Sequence, residues 1–158
     1  YLARALKLAI YVVPDIYWIE KMTSADQGNY SIKVQDNILH VDINGVFNDD
    51  LATSYDQDMR NLVQEMQGRP WGSLAIYHGN SIFTPEAEQA LIEITKYRVQ
   101  YGMVANATVI LNSAHADLQQ MQLRRIYQAS NITFHVFSDE KSAKNWLKEF
   151  LQQQNVAM

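Results

Sequence analysis

Cysteine is absent from this chain, which removes disulfides and thiolate chemistry and fits a reducing compartment such as the cytoplasm. Basic clusters are scarce too. The densest is Arg124-Arg125, and a formal net charge of −4 offers no electrostatic basis for nucleic acid as a partner, because phosphate binding rests on grouped Lys and Arg. No apolar run reaches the roughly 20 residues a membrane-crossing helix needs. Tyr1 to Lys21 comes nearest, and Arg4, Lys7 and Pro14 interrupt it. Loops of the Gly-x-Gly-x-x-Gly or Gly-x-x-x-x-Gly-Lys type are missing, and with them the common nucleotide cradles. Repeats and low-complexity runs are missing as well, which sets aside solenoids and flexible arrays.

What remains is 158 residues, 47% hydrophobic and 19% charged, enough for one domain with a buried core. Residues 1–29 read as an N-terminal extension. Met22 opens a polar segment, Thr23 to Gly28, of the kind that begins many chains, which would set residues 1–21 outside the native protein. The competing reading is a short amphipathic helix with Leu2, Leu6, Ala9 and Val13 on one face, packed on the domain, on a membrane surface or on a second copy.

From Tyr30 onward the signals alternate. Tyr30 to Gln35 and Ile38 to Val46 read as strands joined by the tight turn Asp36-Asn37. In the second strand Leu39, Val41 and Ile43 oppose His40, Asp42 and Asn44. Asn48 caps a helix whose buried face is Leu51, Tyr55, Met59, Leu62, Val63 and Met66, and Gly68 and Pro70 end it. Trp71 to His78 is a strand apolar enough to be buried on both faces. Thr84-Pro85-Glu86 opens a second helix, with Ala87, Leu91, Ile94, Tyr97 and Tyr101 along its stripe and Gly102 at its end. Asn106 to Asn112 is a strand, His115 to Ser130 a helix and Ile132 to Phe137 the last strand. Ser138 or Asp139 caps a final helix built on Ala143, Trp146, Leu147, Phe150 and Leu151, and Gln152 to Met158 is expected to fray. The order β-β-α-β-α-β-α-β-α over residues 30–151 predicts an α/β domain: a mixed, mostly parallel sheet with an opening hairpin and covering helices.

Three stretches carry a family resemblance: Ile38 to Phe47, a strand ending in Gly-hydrophobic-Phe before an acidic helix start; Ala107-Thr108-Val109-Ile110-Leu111; and Phe134-His135-Val136-Phe137-Ser138-Asp139-Glu140 running into Ala143-Lys144-Asn145-Trp146-Leu147. Together they resemble the SpoIIAA-like family of small bacterial STAS proteins, over about Tyr30 to Leu151. The resemblance implies an anti-sigma-factor-antagonist-like fold and a non-enzymatic regulatory or scaffolding protein that binds another protein. It also implies phospho-regulation at a Ser or Thr in the loop after the third strand. The matching loop here holds His78, Gly79, Asn80, Ser81, Ile82, Phe83 and Thr84. It lacks the family's aspartate-serine pattern, so Ser81 and Thr84 are both candidates. The fold shared with Sec14-type carriers implies an alternative, an apolar, lipid-like ligand held under the helices.

Thr84 is equally well explained as an N-cap, worth about 1 kcal/mol to its helix, and Ile82 and Phe83 as a staple beneath that helix. His40 and Asp42 share a strand face, but a metal needs three or four ligands and no His-x-x-x-His pair exists. Gly79-Asn80-Ser81-Ile82 lacks the closing glycine of a hydrolase elbow. No catalytic residue, metal or cofactor is therefore assigned, and an enzyme built on His40, Asp42 or His78 is the least supported reading. Gln119, Gln120, Gln122 and Gln128 read as solvated helix surface or an interface rim, and a homodimer is a further expectation.

Overall fold

The computed structural model describes residues 7–13, 16–22 and 28–157. Its elements are β1 (Lys7–Val13), β2 (Ile16–Met22), β3 (Asn29–Gln35), β4 (Ile38–Asn44), α1 (Asp49–Val63), β5 (Trp71–His78), α2 (Pro85–Gln100), β6 (Met103–Leu111), α3 (Ala116–Gln128), β7 (Thr133–Phe137) and α4 (Glu140–Ala157). From β3 to α4 this is the expected β-β-α-β-α-β-α-β-α order. All seven strands form one sheet in strictly sequential order, β1 to β7. The first four pair antiparallel and the last four parallel.

The N-terminal stretch departs from the helix reading. β1 and β2 pair from Lys7↔Met22 to Val13↔Ile16, and β2 continues onto β3 from Ile16↔Gln35 to Lys21↔Tyr30. Ile10, Val12, Val13, Ile16 and Ile19 are β-branched, stiff at χ1 and better suited to a pleated strand than to a helix. The backbone of β3 supplies the partners. Leu2, Leu6 and residues 23–27 lie outside the described residues. A second departure is at the other end, where α4 runs to Ala157 in place of a frayed tail.

Asp36 adopts φ +56 in the β3–β4 turn, a left-handed conformation that aspartate tolerates better than most residues. Asn48 accepts from Leu51 N at 2.9 Å and so caps α1. Gly68, at φ +116, turns the chain after that helix. Seven of the eight residues of β5 are buried, as a central parallel strand covered on both faces requires.

Parallel strands laid down in one direction with right-handed crossovers put their connecting helices on the same face. Accordingly, Leu51, Tyr55 and Met59 of α1, Leu91 and Ile94 of α2, and Leu123 and Ile126 of α3 share one core with Tyr30, Ile32, Val41, Ile43 and Tyr77. Ala143, Leu147 and Leu151 of α4 close the opposite face over Leu74, Ile76, Ala105, Ala107 and Val109. α4 packs on β5, β6 and β7. Beside it, the same face of β3 and β4 carries Ser31, Lys33, Gln35, His40 and Asp42, the half-buried positions of those strands. Among the described residues no helix is long and apolar enough to cross a membrane.

Candidate functional site

The carboxyl ends of β4, β5 and β6 release the loops 45–48, 79–84 and 112–115, the end of an open α/β sheet where ligands are usually met. The middle loop begins at Gly79, whose φ of +74 turns the chain off β5; a Cβ there would meet nothing within 4 Å, so the glycine answers to the backbone and not to crowding. Gly79 N donates to Leu111 O at 2.8 Å, and two tight turns follow, Ser81 N to Gly79 O and Ile82 N to Asn80 O, each at 3.0 Å.

Of the expected site residues in this loop, Ser81 and Phe83 are buried, His78, Gly79 and Thr84 half-buried and Asn80 exposed. Ser81 has no exposed surface, and its hydroxyl donates to His78 O at 3.2 Å. Phe83 is buried with its ring edge-on to Phe47 at 5.7 Å and Tyr77 at 6.0 Å. Phe47 N donates to Ile82 O at 3.3 Å across an isolated β-bridge between residues 47 and 83. Thr84 is the cap of α2: its hydroxyl oxygen accepts from Ala87 N at 3.1 Å while the O–H donates to Asp49 Oδ1 at 2.8 Å. Asn80 is exposed, and its Oδ1 accepts from Ala114 N at 2.9 Å and Ser113 Oγ at 3.2 Å, tying the middle loop to the third.

Two glutamines read as solvated surface do this anchoring. Gln119 and Gln122 are buried. Gln119 Nε2 donates to Gly79 O at 3.2 Å. Gln122 accepts from Phe83 N and donates to Phe83 O, both at 3.1 Å. A polar stripe on a helix looks alike in sequence whether it meets water or the bare backbone of a loop; only the neighbour distinguishes the two. Gln120 is half-buried and Gln128 exposed.

Compared with known proteins, the chain matches no family model, no curated protein and no solved structure.

Large hydrophobic residues that stay in water adjoin, in sequence, the residues that hold this loop. Among the described residues these are Val46, Leu118 and Met121, at 54%, 42% and 57% exposure. Val46 precedes Phe47. Leu118 and Met121 sit one turn apart on α3, each next in sequence to one of the anchoring glutamines.

On the α4 side of the sheet, His78 Nε2 lies 3.0 Å from Asp42 Oδ1, both side chains partly exposed. His40 is half-buried on the same face. Burial, then the cations of Lys144 and Lys33, lower its pKa to about 4, with Lys148 adding to the effect and Asp42 opposing it. The carboxylate can orient the His78 imidazole, yet the adjacent loop hydroxyl, Ser81, is buried and engaged with a carbonyl. Among the described residues no group of three or more His, Asp or Glu side chains could hold a metal ion.

One buried group escaped the sequence reading. Arg98 of α2 is 3% exposed, its Nη2 donates to Thr95 Oγ1 at 3.1 Å, and its Nε has no partner. Tyr55, Tyr77 and Tyr127 surround it electrostatically. Burial pushes the Tyr55 phenol up to about 12 and Tyr77 well above its ordinary value, so both stay protonated. The signal was present: Arg98 follows Ile94 by four residues and Leu91 by seven, on the buried stripe.

Proposed function

We propose that this chain is a non-catalytic, STAS-like regulatory or scaffolding protein that binds another protein through the carboxyl-end face around loop 79–84. One observation carries the reading: the large exposed hydrophobics Val46, Leu118 and Met121 are each next in sequence to a residue bonded to loop 79–84, namely Phe47, Gln119 and Gln122. Exposed apolar side chains on a pre-organised surface lose little freedom on docking, which favours recognition. The motifs of β4, β6 and the β7–α4 junction, which resemble the SpoIIAA-like family, support the same reading.

Regulation by phosphate takes a particular form here. A phosphate on Ser81 requires the loop to open, because the hydroxyl is buried. A phosphate on Thr84 would sit beside Asp49 and displace the cap, so it acts by repulsion and release.

The test uses immobilised wild-type protein and the exposed double variant Val46→Asp/Leu118→Glu in parallel captures from source-cell lysate. The reading expects a protein retained in near-stoichiometric amount by wild type and lost from the variant. Equal recovery on both would remove this face from consideration.

A further inference from the structure

The sheet ends at β7. Its sequence, Thr133-Phe134-His135-Val136-Phe137, is short but contains no lysine, no proline and no acidic residue, three of the devices that ordinarily guard an edge. Every residue of β7 keeps some exposed surface, so its outward N–H and C=O groups lie beside apolar side chains that are only partly covered. On one side, Phe134 stacks on Tyr127 at 4.8 Å, and Phe134, Val136 and Ile132 floor a groove of about 540 Å³. On the other, His135 and Phe137 lean on Trp146 at 4.9 and 5.6 Å, and Trp146 meets Phe150 at 5.4 Å. An added strand would find apolar contacts for both alternating sets of its side chains.

The wall of the groove sets the charge of the occupant. α3 turns Gln120, Arg124 and Gln128 toward it, and no carboxylate lines it. Arg125, next in sequence, is held by Glu88 through two bonds of 2.7 and 3.0 Å. The ion pairs among the described residues engage Arg60, His78, Lys96 and Arg125, and leave Arg124 unpaired. A second copy of this chain is a poor match: two-fold pairing of β7 strands would run the two α3 helices antiparallel, with Arg124, the middle of the stripe, facing its own mate.

We infer that the β7 edge takes an extended segment of another protein as an eighth strand, with alternating apolar residues and a carboxylate set against Arg124. Backbone bonds to β7 supply the affinity, and the Phe134/Val136 groove and Arg124 supply the selection. This surface is separate from the carboxyl-end face, and its test does not depend on that face.

The probe is a capped eight-residue peptide of valine and threonine with a single central aspartate, with lysine at that position as control, titrated into the ¹⁵N-labelled full chain. Binding of the acidic peptide is expected to shift and protect amides of residues 133–137, with the basic peptide at least tenfold weaker. Arg124→Glu, at an exposed position, is expected to reverse that preference while leaving the remaining amide spectrum unchanged. Absence of binding at millimolar peptide, equal affinity for the two peptides, or shifts confined elsewhere would overturn the inference. So would a dimer in sedimentation with residues 133–137 protected before any peptide is added, since a second copy would then hold the edge.

Discussion

The side chain of Gln122 satisfies both backbone groups of Phe83, accepting from its N–H and donating to its carbonyl, each at 3.1 Å. A primary amide is the one side-chain group that can imitate a neighbouring strand in this way. Gln122→Leu keeps the volume and leaves two buried backbone groups unsatisfied, at about 1–3 kcal/mol each. A loss of about 2–4 kcal/mol in urea denaturation is expected, with faster amide exchange at residues 79–84. A change within experimental error would show that water replaces the amide without penalty.

Two glycines distinguish crowding by backbone from crowding by side chain. A Cβ on Gly28 would lie 2.5 Å from Val46 O and 2.7 Å from Asn44 O, whereas one on Gly72 would press first on the Leu147 Cδ1 terminus at 2.5 Å. Backbone cannot yield as a methyl can. Gly28→Ala is expected to lower stability by about 2 kcal/mol or more, and Gly72→Ala by about 1 kcal/mol, in matched thermal melts. The reverse order would contradict the packing described for the β4–α1 loop.

The elements from β3 to α4 were legible because each carries its own local chemistry. Asn48 and Thr84 are caps in sequence and caps in structure, and Trp71 to His78 is a strand with the expected bounds. β1 and β2 were not legible, since Leu2, Leu6, Ala9 and Val13 also satisfy a helical spacing and the partner that decides between the two, the β3 edge, is a long-range contact. The candidate loop was found by its position after β5. Its inward character was not, because the groups that hold its backbone at Gly79 and Phe83 are Gln119 and Gln122, 40 and 39 residues further along the chain, and no local pattern announces such a pairing.

His40 makes stability depend on pH. In the folded chain its pKa is lowered to about 4 from an ordinary 6.5, chiefly by burial and then by Lys144 and Lys33. Between those values the unfolded chain takes up a proton that the folded chain refuses. Its contribution is therefore fully present above pH 6.5 and is lost as pH falls toward 4. His40→Gln is expected to flatten the fall in unfolding free energy across this window relative to wild type. Parallel curves for the two proteins would contradict the shift.

Arg98 is a buried cation whose Nε has no partner, and its desolvation is offset through Thr95 and the neighbouring tyrosines. Arg98→Met retains the apolar stem and removes the charge. The unfolding free energy in urea is expected to stay equal or to rise, by up to about 1–4 kcal/mol. A loss above about 2 kcal/mol would mean that the tyrosine hydroxyls around Arg98 compensate its desolvation in full.

The sequential strand order means that no strand is inserted between two that are distant in the chain, so every strand pairs only with its neighbours in sequence. A layer ordered in this way leaves its last strand at a margin, and here that strand is β7. The same continuity that gives each inner strand two partners from the chain itself gives β7 one, and leaves its second place to be filled from outside.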